Sequence, residues 1–131
     1  MESTDLKPEA ESGAVERKSP PETLLLPDES PTFSWLVVLN GPRRGKLYRI
    51  KRKGITIGRE ADNDIVLDDE TVSRHHARLL VEPGIGNPQV YLQDIASVNG
   101  TFVNGERIVR QLLQDEDHIA IGDTIFSFKH L

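Results

Sequence analysis

The sequence predicts an all-β fold, a β-sandwich of short strands behind a disordered N-terminal tail. Three observations carry that expectation. From Trp35 onward apolar residues recur at every second position in short segments, the period of a half-buried strand. The segments lie close together and are broken by Gly, Asn, Asp and Pro, the residues of turns. The one window with apolar residues four apart, Arg107 to Gln114, is short and uncapped, so strand plus loop is expected there rather than helix.

The elements follow in order. Trp35-Leu36-Val37-Val38-Leu39 reads as a strand, and Asn40-Gly41-Pro42 as the turn after it. Ile55-Thr56-Ile57 and Ile65-Val66-Leu67 are short β-branched runs. Between His76 and Glu82, the residues Ala77, Leu79 and Val81 share one face. Val90 and Leu92 do the same between Gln89 and Asp94, with Tyr91 and Gln93 opposite. Ile119 pairs by face with Ile121, and Phe126 with Phe128. About ten such strands at close spacing point to a sandwich rather than a parallel α/β sheet. No internal repeat is visible.

Length and charge divide the chain. Its 131 residues fit one domain plus a tail. Residues 1–34 contain eight acids and three bases, whereas residues 35–131 contain 13 of each. The whole net charge of −5 therefore sits in the first quarter, with five of the eight prolines. Such a segment cannot bury enough apolar surface to offset the entropy of ordering. Residues 1–31 are expected to be a disordered acidic, Pro-rich tail, and 32–131 the folded domain. Leu24-Leu25-Leu26 is an apolar triplet out of keeping with a free tail. The absence of cysteine excludes disulfides, zinc–thiolate sites and thiol catalysis. Nothing resembles a signal peptide or a membrane span, so a cytoplasmic address is the default.

Three loops carry the chemistry. Gly58-Arg59-Glu60 ends a strand, and a guanidinium there suits a phosphate or a carboxylate. The bland alternative is a rim arginine paired with Glu60 or Asp62. Thr71-Val72-Ser73-Arg74-His75-His76 offers a hydroxyl, a cation and two imidazoles. No nucleophile elbow surrounds Ser73, so catalysis is a poor reading. Adjacent residues on an extended chain face opposite ways, so His75 and His76 are not expected to share a metal ion. One of them is expected to be a structural, hydrogen-bonding histidine. The third loop holds two Asn-Gly steps, Asn99-Gly100 and Asn104-Gly105, which mark tight turns with positive φ. An Asn99 amide can also pair with the backbone of a guest peptide.

In order, Gly58-Arg59, Asn63-Asp64-Ile65, Ser73-Arg74-His75-His76, Asn99-Gly100-Thr101 with Asn104-Gly105, and Asp117 to Gly122 resemble the forkhead-associated (FHA) domain family. The resemblance runs from about Trp35 to Leu131. It implies a sandwich of about eleven strands that binds phosphothreonine peptides, a reader of phosphorylation in a Ser/Thr kinase pathway and not an enzyme. It needs no cofactor and no metal. By the same resemblance Arg59 and Ser73 would contact the phosphate, Arg74 would add a further contact, and Asn99 would hold the peptide backbone. His76 would brace the loops. Gly58 and Gly100 match positions where a side chain would disturb them, and Ser97, Val98 and Thr101 complete the supporting loop. The chemistry agrees, since a phosphate brings about −1.5 to −2 charge and three strong acceptors.

Two positions depart from the family. Val98 stands where Thr or Ser often donates to the phosphate, with Ser97 as the candidate replacement if the loop shifts. Glu116 stands where Gly is frequent, so the turn before Asp117 is expected to differ locally. The Val98 departure keeps a second reading open, a phosphate-independent interaction domain acting through its sheet faces. Some small bacterial members have a tail that is phosphorylated on Thr and occupies its own domain. Thr23 and Thr4 are the candidates here, although the tandem Thr motif of those proteins is absent. Finally, residues 43–53 contain seven bases and no acid. A solvated hairpin is the commonest meaning, an acidic partner is another, and nucleic acid is the weakest.

Overall fold

The computed structural model describes residues 33–83 and 88–131. The tail, with Thr4, Thr23 and Leu24 to Leu26, and part of the Pro83–Pro88 loop lie outside the described residues. Eleven strands are present among the described residues: β1 (Ser34–Val38), β2 (Leu47–Arg49), β3 (Ile55–Gly58), β4 (Ile65–Val66), β5 (Ala77–Glu82), β6 (Gln89–Asp94), β7 (Thr101–Val103), β8 (Glu106–Ile108), β9 (Arg110–Leu112), β10 (His118–Ile121) and β11 (Thr124–His130). They form a six-stranded sheet in the order β2-β1-β11-β10-β7-β8 and a five-stranded sheet in the order β4-β3-β5-β6-β9. The expected all-β sandwich is what the chain adopts.

The alternation read from the sequence sets which side chains enter the core. Leu36 and Val38 of β1, Ile55 and Ile57 of β3, Ala77 and Leu79 of β5, and Val90 and Leu92 of β6 are all buried. Ile119, Ile121, Phe126 and Phe128 join Leu36 and Val38 on the inner face of the six-stranded sheet, opposite the β3, β5 and β6 residues. Val81 is only half-buried, where β5 runs out toward the Pro83 loop. The window from Arg107 to Gln114 is no helix. It contains the end of β8 and all of β9, with Val109 between them, so the chain switches sheets there. That switch explains the confused periodicity, because Ile108 and Leu112 belong to different sheets.

Pairing is antiparallel except between β3 and β4, where Ile57 lies beside Ile65 and Gly58 beside Val66. This parallel step turns the chain over residues 59–64 at the rim. The β4–β5 and β6–β7 connections reach the same rim, since Arg59 N–H donates to Ser73 O at 3.1 Å and Ile95 N–H to His76 O at 2.8 Å. Among the described residues no helix is long and apolar enough to cross a membrane.

Candidate functional site

Arg59, Glu70, Thr71, Val72, Ser73, Arg74, Val98 and Asn99 line one open depression at this rim. The structure thus brings together Arg59, Ser73, Arg74 and Asn99, which come from three separate loops. Arg59, Ser73 and Asn99 are each held by a bond that leaves part of the side chain facing outward. Arg59 Nε donates to Val72 O at 2.9 Å, which orients the guanidinium and leaves its two terminal nitrogens unbonded among the described residues. Ser73 Oγ accepts from Val98 N–H at 3.1 Å, so its own proton can point elsewhere. Asn99 Nδ2 donates to Thr71 O at 2.8 Å, leaving its amide oxygen available. Arg74 is exposed.

Behind this surface lies a buried polar frame. His76 is fully buried. Its Nδ1 accepts from Ser73 N–H at 3.0 Å, so the neutral ring carries its proton on Nε2, which lies 2.8 Å from Gly100 O. One imidazole therefore ties the Ser73 loop to the Asn99-Gly100 turn. His75 points away, exposed, with Nε2 3.0 Å from Asp62 Oδ1. The two histidines face opposite ways, as period-two geometry requires.

Gly58 has a steric reason. A Cβ there would collide with the Arg74 carbonyl and come within 2.8 Å of Asn63 Nδ2. Asn63, buried, fills this space and donates from Nδ2 to Glu60 O at 2.8 Å and Arg74 O at 2.9 Å. Gly100 has φ +96°, and a Cβ there would come within 2.7 Å of Arg107 Nε.

Sequence reasoning missed a carboxylate that accepts three bonds within the site's own loop. Asp94, at the end of β6, accepts from Ser97 N–H at 3.0 Å, from Ser97 Oγ, and from Thr101 Oγ1 at 2.7 Å. Partial burial pushes its carboxyl up, but the bonds from Ser97 and Thr101 outweigh burial and hold it below the usual Asp value. Asp69 lies below its usual value too, chiefly through the Thr71 hydroxyl and then the Asp123 N–H. The available signal was the Asp-x-x-Ser spacing of Asp94 and Ser97, a local side-chain-to-backbone turn. This network corrects one expectation. Ser97 does not stand in for the missing Thr or Ser at 98, because its hydroxyl donates to Asp94 and accepts from Gly100 N–H at 3.0 Å. Val98 itself is 80% exposed.

The second departure also has a local answer. Glu116 takes φ +75°, the left-handed region where glycine is favoured. The Glu side chain is placed against Lys129, whose Nζ lies 2.7 Å from Oε1.

The depression can present guanidinium groups, a hydroxyl and an amide to one anionic, peptide-like ligand. Among the described residues no three His, Asp or Glu side chains gather as metal ligands.

Comparison with known proteins agrees with this geometry. The FHA domain family model matches residues 55–122, which include all three loops. The oxoglutarate dehydrogenase inhibitor of Corynebacterium jeikeium is 39% identical over 118 residues, covering 90% of this chain and 77% of that protein. The glycogen accumulation regulator GarA of Mycolicibacterium smegmatis is 39% identical over 87 residues, 66% of this chain and 52% of that one. The chain thus spans little more than half the length of the latter. Among solved structures, Mycobacterium tuberculosis EmbR in complex with a low-affinity phosphopeptide superposes with a TM-score of 0.66. It is 35% identical over 80% of this chain and 26% of that one. An FHA domain solved in a study of phosphothreonine-dependent interactions gives 0.67, at 29% identity over 76% of this chain and 98% of that one. With its fold, its rim loops and these relatives in accord, the chain belongs to the FHA domain family.

Proposed function

We propose that this chain is a phosphothreonine-peptide-binding adaptor in Ser/Thr kinase signalling, acting by binding and not by catalysis. The observation that carries the reading is the convergence of Arg59, Ser73, Arg74 and Asn99 on one depression, with Arg59, Ser73 and Asn99 each oriented by a bond that leaves a polar group outward. Arg59 and Arg74 supply the charge for a phosphate dianion, and the Ser73 hydroxyl donates to the same group. Asn99 spans the neighbouring peptide backbone with its free amide oxygen. Its partners are proteins carrying a phosphorylated threonine. The named roles of the relatives, an inhibitor of oxoglutarate dehydrogenase and a regulator of glycogen accumulation, support a regulatory adaptor.

Titration of one peptide in phosphothreonine and unmodified forms tests the reading. The phosphorylated form is expected to bind, and Arg59→Ala to weaken it about a hundredfold, from loss of about 3 kcal/mol of charge-assisted bonding. Equal affinity for both forms, or no loss with Arg59→Ala, rejects it.

A further inference from the structure

The basic run at 43–53 plays no part in the phosphate loops. In the fold it becomes the β1–β2 turn, the edge strand β2 and the start of the β2–β3 turn. Arg43, Arg44, Lys46, Arg49, Arg52 and Lys53 are exposed along this edge. The edge borders an apolar surface. The register places Leu47 beside Val37, and Trp35 beside Arg49, all pointing away from the core that holds Leu36 and Val38. Leu39 N–H bonds to Ile125 O at 2.8 Å, and Ile125 pairs with Ala120. Leu39, Leu47 and Ile125 are 37%, 55% and 38% exposed on this outer face of the six-stranded sheet.

We propose that this corner, the basic β2 edge with the apolar outer face beside it, docks an acidic, apolar-bearing polypeptide segment independently of phosphorylation. The occupant follows from charge and from the strand edge. A row of bases without an acid repels a second copy of the same edge and attracts carboxylates. The register sends the main-chain N–H and C=O of Leu47 away from β1, because the bonded pairs are Val38 with Lys46 and Ser34 with Ile50. An extended polypeptide can meet such an edge with its own backbone and place alternate side chains on Leu47 and its neighbours. A nucleic acid offers neither apolar side chains nor amides in that spacing. The inference does not rest on the phosphothreonine reading.

The test titrates the full chain, observed by amide chemical shifts, with a synthetic unphosphorylated peptide in which Glu and Val alternate. Perturbations are expected at Val37, Leu39, Leu47 and Ile125. Affinity is expected to fall at least tenfold with Arg44→Glu combined with Lys46→Glu, and likewise with Leu47→Ser or Ile125→Ser. The dispersed amide spectrum and the thermal midpoint of these variants are expected to match those of the unsubstituted chain, which shows that they fold. Three results overturn the proposal: shifts confined to Arg59, Ser73 and Asn99; equal affinity for a peptide with Lys in place of Glu or Ser in place of Val; or a short DNA duplex displacing the peptide from the same residues.

Discussion

One stretch of the chain, residues 99–105, contains the same dipeptide twice, five residues apart, and the fold uses it in two ways. Asn104-Gly105 joins β7 to β8 with φ of +52° and +86°, the pair of left-handed residues of a type I′ hairpin. Asn104 is consumed there. Its Nδ2 donates to Asp117 Oδ1 at 3.0 Å, and its Oδ1 accepts from His118 N–H at 2.9 Å. At Asn99-Gly100 only the glycine has positive φ. Asn99 spends one N–H on Thr71 O and keeps its oxygen, while Gly100 is pinned from behind by His76. What separates a structural asparagine from one we propose to meet a peptide is whether neighbours use up its amide, and that depends on residues distant in sequence.

The largest effect expected from breaking this contrast comes from His76, which holds only one of the two turns. His76→Ala leaves the Ser73 N–H and the Gly100 carbonyl without their buried partner and opens a cavity. The expected loss is about 2–4 kcal/mol of stability, read as a lower denaturant midpoint. Loop amides around Ser73 and Gly100 should broaden, while those of the Asn104-Gly105 hairpin stay in place. Uniform perturbation of both turns would show that they are not independent.

The next comparison substitutes the asparagines themselves. Asn99→Ala is expected to reduce phosphothreonine-peptide affinity about tenfold, with stability changed by less than about 1 kcal/mol. Asn104→Ala should do the reverse. It strands the His118 N–H and forces alanine into φ > 0, so about 1–3 kcal/mol of stability is lost and affinity is retained. Calorimetric binding and thermal melting of both variants separate the two roles.

Acid titration probes the same division through the carboxylates. Asp94 and Asp69 have folded values below the ordinary one of about 3.9. Their contribution to stability is therefore fully present above that value and is lost as pH falls through the lowered values. Melting temperature should be flat above about pH 5 for these groups and fall below about pH 4. Amides of Ser97, Thr71 and Asp123, which these carboxylates accept from, should shift in that acid range. Removing Thr101 Oγ1 with Thr101→Val should move the Asp94 transition upward.

Legibility from sequence followed the range of the physics. The strands that alternate cleanly, such as Gln89 to Asp94, were readable because pleating is local. So was the tight turn at Asn104-Gly105, because positive φ is written in two residues. The confusion at Arg107–Gln114 arose because β8 and β9 belong to different sheets, which no local period reveals. Arg59, Ser73 and Asn99 were named through a family pattern, whereas Asp94 escaped. Its role depends on Ser97 and Thr101 turning back onto it, and on Asn99 and Gly100 being held in the loop they enclose.

Val98 gives the smallest and sharpest test of the site. It lies beside the Asn99-Gly100 turn, 80% exposed, with its N–H on Ser73 Oγ. The backbone at 98 is therefore already fixed relative to the serine hydroxyl, and only a side-chain donor is lacking. Thr has the same branched shape as Val and replaces one methyl with a hydroxyl. Val98→Thr should leave stability within about 0.5 kcal/mol, as exposed substitutions do. Affinity for a phosphothreonine peptide should rise about threefold to tenfold through one added bond to a charged acceptor, worth about 1 kcal/mol net. The unmodified threonine peptide should gain nothing. The same exchange at Val103, buried in β7 beside the other turn, should cost stability and leave binding alone. If Val98→Thr raises affinity for both peptides equally, the added hydroxyl meets the peptide and not the phosphate, and the position of the dianion between Arg59 and Ser73 must be redrawn.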